Sequence, residues 1–239
     1  ELSKLNYTFL FIMFKNKILS LILPAYNEGL NISNFINDVK KLNIVDQIIC
    51  VDNNSTDNTE QEIKKNDVIY LNAEKQGFGA AVKKGLRNCK SDLILICEPD
   101  GSFQAKDFLK LLNMIDDYDA VFTSRTFSMK NFYLKYGNFI YAKILSFIFK
   151  GPEITDVGSS LRLFKKKDLD IFIKSLKSDG PELQMELTIN LFKLNIKIIE
   201  IDIDYFNRLG VSNYTGNFIG SLKVALKFTK IVLFKLFKI

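Results

Sequence analysis

Glu98 and Asp100 stand one residue apart where the apolar run SDLILIC ends, with Gly101 and Ser102 directly after them. Two carboxylates held this close repel unless a cation sits between them, so the pair is either a surface turn or half of a metal site. The chain has no histidine, which removes imidazole as general base, nucleophile partner or zinc ligand. Chemistry must therefore run on carboxylates, Arg, Lys, Tyr and hydroxyl groups. Three further clusters carry ligand-binding residue types: PAYNE at 24–28, DNNSTDNT at 52–59 and GFGAA at 77–81. Each has a plainer account, since Asn, Ser and Asp satisfy free N–H groups at helix starts and paired glycines make tight turns.

Short apolar runs at 18–24, 44–51, 68–71 and 93–97 alternate with segments of helical spacing at 28–42, 56–65, 78–89 and 105–118. This βαβα alternation predicts a doubly wound parallel sheet buried on both faces. Asn27 and Ser55 are candidate caps for the first two helices. Residues 120–124 offer a fifth strand, 132–150 a long aromatic-rich helix, 160–164 and 196–202 two further strands, and 182–194 the helix between them. In such sheets ligands bind beyond the carboxyl ends of the strands, where all four clusters fall.

With 239 residues and 47% apolar content, one large α/β domain is expected. Its nucleotide half would cover 17–125 and its acceptor half 126–215, with a break near Gly151-Pro152 that separates halves rather than domains. Residues 1–16 read as an extension and 216–239 as a basic helix. The apolar patch at 9–14 is too short to span a bilayer and lacks a cleavage site, and Met13 is a plausible natural start. Cys50, Cys89 and Cys97 show no CxxC spacing and read as small buried thiols in a reducing, cytoplasmic setting. The net charge of +6 is concentrated: five lysines and no acid lie within 216–239. The body is nearly neutral, which argues against a nucleic-acid partner.

In this order and at these intervals, PAYNE, VDNNSTDNT, GFGAA and EPDG resemble the nucleotide-sugar half of the inverting family 2 glycosyltransferases, which have the GT-A fold. TDVGSSLR from Thr155, PELQME from Pro181 and YFNRLGVS from Tyr205 resemble segments of the dolichol-phosphate mannose synthase-like branch. The resemblance covers roughly residues 18 to 212 and implies a Rossmann-like, mostly parallel sheet with a smaller acceptor half. It implies a UDP- or GDP-sugar donor and Mg²⁺ or Mn²⁺ held by Asp100 and Glu98 against the diphosphate. Glu98 departs from the Asp usual in the family, and Ser102 stands where many relatives carry Gln. By resemblance, Pro24, Tyr26, Glu28 and Asp52 line the base and ribose pocket, while Lys75, Gly77 and Gly79 let backbone approach the nucleotide. Arg208 and Arg162 are placed near phosphate, with a salt bridge as the alternative for each.

Inversion needs a nucleophile opposite the leaving diphosphate. A sugar hydroxyl would require a carboxylate base, for which Glu182, Glu186 and Asp156 are the candidates; a lipid phosphate, already ionised, would need none. Glu182 and Glu186, four apart, are expected on one face of a helix whose Leu183, Leu187 and Leu191 face the core. From Phe218 the lysines recur among apolar residues, predicting a basic amphipathic helix suited to an anionic membrane surface, or else to packing in a homo-oligomer. Phe132, Tyr133, Phe139, Tyr141, Phe147 and Phe149 could extend that apolar surface. The expectation is a metal-dependent inverting glycosyltransferase at the cytoplasmic membrane face, acting on a polyprenyl phosphate; a saccharide hydroxyl is the alternative acceptor, and a non-catalytic nucleotide-sugar binder the alternative class. A dinucleotide-binding oxidoreductase would need GxGxxG after the first strand, where PAYNEG stands.

Overall fold

The computed structural model describes residues 17–126, 128–129, 131–206, 208 and 218–237. The patch at 9–14, Met13, Lys238 and positions 207 and 209–212 of the YFNRLGVS segment lie outside the described residues. The elements run β1 (Leu19–Ala25), α1 (Ile32–Leu42), β2 (Gln47–Asp52), α2 (Thr59–Lys64), β3 (Ile69–Asn72), α3 (Phe78–Asn88), β4 (Leu93–Ile96), α4 (Phe108–Leu112), β5 (Ala120–Ser124), α5 (Phe132–Ile148), β6 (Arg162–Lys165), α6 (Lys166–Asp170), α7 (Leu183–Lys193), β7 (Ile198–Asp202) and α8 (Phe218–Phe237). Short 3₁₀ turns at Ala105–Asp107 and Ile173–Ser175 complete the set.

All seven strands form one sheet, ordered β3-β2-β1-β4-β6-β5-β7. The β3-β2-β1-β4 half is parallel, β6 runs antiparallel between β4 and β5, and β7 is parallel to β5. Every residue of β1 is buried, and its side chains alternate between two apolar clusters: Ile22 enters one, and Leu19, Leu21, Leu23 and Ala25 the other. That is the signature of a strand covered on both faces. From β1 the chain winds outward to β2 and β3, then returns to place β4 on the other side of β1. A crevice opens at such a reversal, so the loops after β1 and β4 face one another.

Several boundaries differ from the sequence expectation. The first helix starts at Ile32 instead of 28: Asn27 takes a positive φ of 53°, and the N–H groups of Asn31 and Ile32 both donate to the Glu28 carbonyl at 2.9 Å, so 29–31 form a turn ahead of the helix. Asn27 and Ser55 cap neither helix; they brace two loops against each other. Asn27 N–H donates to Ser55 Oγ at 3.0 Å, and Asn27 Oδ1 accepts the N–H of Thr56 at 2.8 Å. The helix expected across 105–118 is a 3₁₀ turn followed by only five α-helical residues. Helix α7 corrects a larger error. Nine of its eleven residues are buried, Glu186 among them, so it has no solvent face for acids.

Helix α8 forms as expected but packs on its own chain. Phe228 and Val232 are buried, and Tyr141 Oη on α5 donates to the Ala225 carbonyl at 2.9 Å. Lys235 points inward, its Nζ 3.0 Å from Glu186 Oε1. Leu222, Leu226, Leu233 and Phe237 stay exposed, as do Phe132, Tyr133, Ile140 and Phe147 of α5, and Ile140 and Leu233 line a shared groove. Among the described residues no helix is long and apolar enough to cross a membrane.

Candidate active site

The crevice holds a cavity of about 480 Å³. Pro24, Tyr26 and Glu28 enter it from the end of β1, Glu98 and Pro99 from β4, Arg125 from β5, and Arg208 from beyond β7. The loop after β1 is built by the segment after β2. Besides the Asn27 bonds, Glu28 N–H donates to Thr59 Oγ1 at 2.8 Å and Gly29 N–H to Asp57 Oδ2 at 3.1 Å. The NSTDN stretch thus braces the first strand's loop.

Arg208 occupies the corner where these strands meet. Its Nη2 lies 2.8 Å from Glu28 Oε1, and its Nε 3.6 Å from Asp100 Oδ2. That Nε–H is buried without a hydrogen-bond partner among the described residues. Burial works against the guanidinium charge, but Asp100, Glu98 and Glu28 together raise its pKa. Burial raises the Glu28 carboxyl, opposed by the bonds from Asn31 and Arg208. Glu98 is pushed up to about 7, first by burial and then by Asp100, with Ser160, Arg208 and Arg125 pulling the other way. Asp100 is buried, its Oδ1 accepting the N–H of Ser102 at 2.9 Å.

Three carboxylates therefore face one unshared guanidinium, and the imbalance of negative charge suits a divalent cation. Among the described residues no three Asp, Glu or Cys side chains are grouped to hold a metal by themselves. The diphosphate of a ligand would have to complete any coordination that Glu98 and Asp100 begin.

Arg125, which sequence reasoning passed over, is held by Asp156. Its Nε lies 2.7 Å from Asp156 Oδ2 and its Nη2 2.9 Å from Oδ1, a two-pronged buried pair. The guanidinium also sits 5.1 Å from the centre of the Tyr205 ring. Its position directly after β5, on the same sheet edge as the other strand ends, was the available signal. Burial disfavours the Asp156 charge, yet Arg125 and the backbone N–H groups of Arg125 and Gly158 lower its pKa overall. Asp156 is accordingly engaged and buried, and does not line the cavity.

Other expected site residues take structural partners. Arg162 is fully buried and reaches no phosphate corner: it donates to the carbonyls of Val157, Ser159 and Gln184 and to Thr188 Oγ1. Burial pulls its pKa down to about 10, still charged at neutral pH. Glu186 accepts the N–H of Ser178 at 2.9 Å besides its Lys235 pair. Glu182 accepts the N–H of Gly180 at 3.1 Å and lies 3.7 Å from Lys227 Nζ. Asp52 is buried at its strand end, Oδ1 accepting from Ser55 N–H at 3.0 Å.

The close approach expected of a ligand at Gly77 and Gly79 is made by the chain itself. A Cβ on Gly77, whose φ is +151°, would fall 2.2 Å from the Asp179 carbonyl oxygen, and one on Gly79 2.6 Å from that of Ser178. The loop before α7 lies on the first turn of α3, and Lys75 reaches it with Nζ 3.8 Å from Asp179 Oδ2. None of these three lines the cavity.

Comparison with known proteins bears on this arrangement. The chain is 29% identical over 216 residues to the UDP-N-acetylglucosamine–dolichyl-phosphate N-acetylglucosaminyltransferase of Methanococcus voltae, covering 79% of this chain and 85% of that protein. It is 30% identical over 234 residues to an uncharacterized protein of Methanocaldococcus jannaschii, covering 87% and 97%. In structure it resembles glucosyl-3-phosphoglycerate synthase of Mycobacterium tuberculosis, solved with Mn²⁺, UDP and glucosyl-3-phosphoglycerate. The TM-score is 0.75 at 16% identity, over 95% of this chain and 82% of that one, which establishes the GT-A fold. The sequence profile described as Glycosyl transferase family 2 matches residues 20–172. Because that match spans more than half of the chain and runs through the strand ends whose acids meet at the cavity, this chain belongs to glycosyl transferase family 2.

Proposed function

We propose that this glycosyltransferase moves a sugar, with inversion, from a UDP- or GDP-sugar onto a polyprenyl phosphate. The observation that carries the reading is the convergence of Glu28, Glu98, Asp100 and Arg208 on one corner of the crevice. Asp100 and Glu98 are the residues that would hold Mg²⁺ or Mn²⁺, whose chemistry there is to neutralise the diphosphate as the sugar departs. Pro24 and Tyr26 wall the nucleoside end. Arg208, with a buried N–H still unpaired among the described residues, supplies a planar donor set for phosphate oxygens.

The acceptor follows from what the carboxylates are doing. Asp156 is tied to Arg125 and Glu186 to Lys235, while Glu28 is bound by Arg208. A site whose acids are engaged suits a nucleophile that arrives deprotonated, as a lipid phosphate does. Leu134 of α5 and Val224 and Phe228 of α8 give the cavity an apolar wall. The outer faces of these two helices expose the large apolar residues named above, beside Lys223, Lys227 and Lys230. That combination supports peripheral docking on the inner face of an anionic membrane, with the cavity beside the lipid. The Methanococcus voltae relative, named for a dolichyl-phosphate acceptor, supports the same choice.

Calorimetric titration with UDP and with GDP, each with and without Mn²⁺, tests the reading. Metal-dependent binding of one nucleotide is expected. Heat of binding from neither would refute it.

A further inference from the structure

Arg162 does not touch the cavity, yet it shapes one wall. It ties the 157–159 segment to the first turns of α7 by donating to Val157 and Ser159 on one side and to Gln184 and Thr188 on the other. Gly158 and Ser160 from that segment, and Gln184 from α7, then line the cavity together. Glu98 lines the same cavity as Ser160, so this wall adjoins the acidic corner.

Two side chains of this wall, Ser160 and Gln184, are buried with polar atoms that have no partner among the described residues, and Gln184 leaves both a donor and an acceptor open. It is 3% exposed, and neither Oε1 nor Nε2 has a hydrogen-bond partner among the described residues. Its backbone is satisfied, because its N–H donates to Pro181 and its carbonyl accepts from Arg162 and Thr188. The carboxamide is the polar function left open. Buried amides are normally paired, and leaving one unpaired costs stability, so an open carboxamide in a cavity wall points to a ligand as its partner.

The chemistry of that ligand is constrained. An ionised phosphate accepts hydrogen bonds but offers none, and would leave Oε1 unmet. A hydroxyl or acetamido group both donates and accepts. We propose that Gln184 is a specificity-determining residue that reads a hydroxyl or acetamido substituent of the transferred hexose, just beyond the diphosphate corner. This inference rests on the glycosyltransfer reading given above.

The test is calorimetry on the whole chain and on Gln184→Leu and Gln184→Met, with Mn²⁺ present. The probes are UDP, GDP, UDP-glucose, UDP-N-acetylglucosamine and GDP-mannose. For the sugar nucleotide that the unaltered chain binds more tightly than its bare nucleotide, both variants should lose affinity about 5- to 30-fold, with the bare nucleotide changed by less than about twofold. Melting temperature should hold or rise, because an apolar side chain replaces an unpaired amide. Equal losses for nucleotide and sugar nucleotide would overturn the proposal. So would unchanged sugar-nucleotide affinity, a sugar that adds nothing to binding in the unaltered chain, or a fall of more than about 5 °C in both variants. If the unaltered chain binds no nucleotide at all, the glycosyltransfer reading falls and this subsite with it.

Discussion

Nη2 of Arg208 lies 2.8 Å from Oε1 of Glu28, a pair 180 positions apart in the sequence. The contact joins the loop after β1 to the segment after β7 across the mouth of the crevice. Replacing Arg208 by Gln would leave Glu28 buried without its cation. A stability loss of about 1–3 kcal/mol is expected in urea denaturation, together with a fall of about 100-fold in sugar transfer. Turnover equal to that of the unaltered chain would remove Arg208 from the reaction.

Asp100→Asn preserves an acceptor for Ser102 N–H while removing the charge. Folding should be retained, and transfer should fall by about 1,000-fold or more if the carboxylate holds a divalent cation. Mn²⁺ titration followed by electron paramagnetic resonance supplies a readout independent of turnover. Unaltered Mn²⁺ affinity would exclude Asp100 as a ligand.

The pair of Asp156 with Arg125 makes an acid-stability prediction. The folded pKa of Asp156 is lowered, so its contribution is present above the unfolded carboxylate value of about 4 and is lost as pH falls through the folded value. Asp156→Asn should cost about 3 kcal/mol at pH 7, because a buried guanidinium loses its counter-charge. Below about pH 4 the difference should shrink. Urea midpoints measured across that range check it, and a gap that widens on acidification would contradict it.

Membrane docking is better tested by charge than by truncation. Removing α8 would strip Phe228 and Val232 from the core, at roughly 1.5–3 kcal/mol for each side chain, and would leave Glu186 without Lys235. Reversing Lys223 and Lys230 to Glu spares those contacts and leaves the Lys227–Glu182 pair in place. Sedimentation with anionic vesicles should then fall by at least about tenfold, each basic charge near such a surface being worth about 1 kcal/mol. Undiminished binding would reject the lysine fringe as the contact.

Cys50 and Cys97 are buried, and burial pushes the Cys50 thiol up to about 12 and the Cys97 thiol well above its ordinary range. Neither should react with iodoacetamide at pH 8 in the native chain, and both should react in denaturant. Mass spectrometry of the alkylated protein distinguishes the outcomes.

The sequence by itself determined the alternation of apolar runs and helical segments, the positions of acids and glycines at strand ends, and the family to which those motifs point. These are local facts: a strand buried on both faces must be apolar throughout, and a strand end must leave its polar residues in the loop. Partner choice is not local. Arg162 and Arg125 are the same residue type, each in or directly after a strand, yet the structure makes Arg162 an internal bracket and sets Arg125 on the cavity wall. Glu186 and Glu98 are equally acidic in the sequence; one is taken by a lysine forty-nine positions later, and the other is pushed up to about 7 on the cavity wall. Only the tertiary structure decided these roles, because a charge's energy depends on its burial and on which distant groups the fold sets within a few ångströms of it.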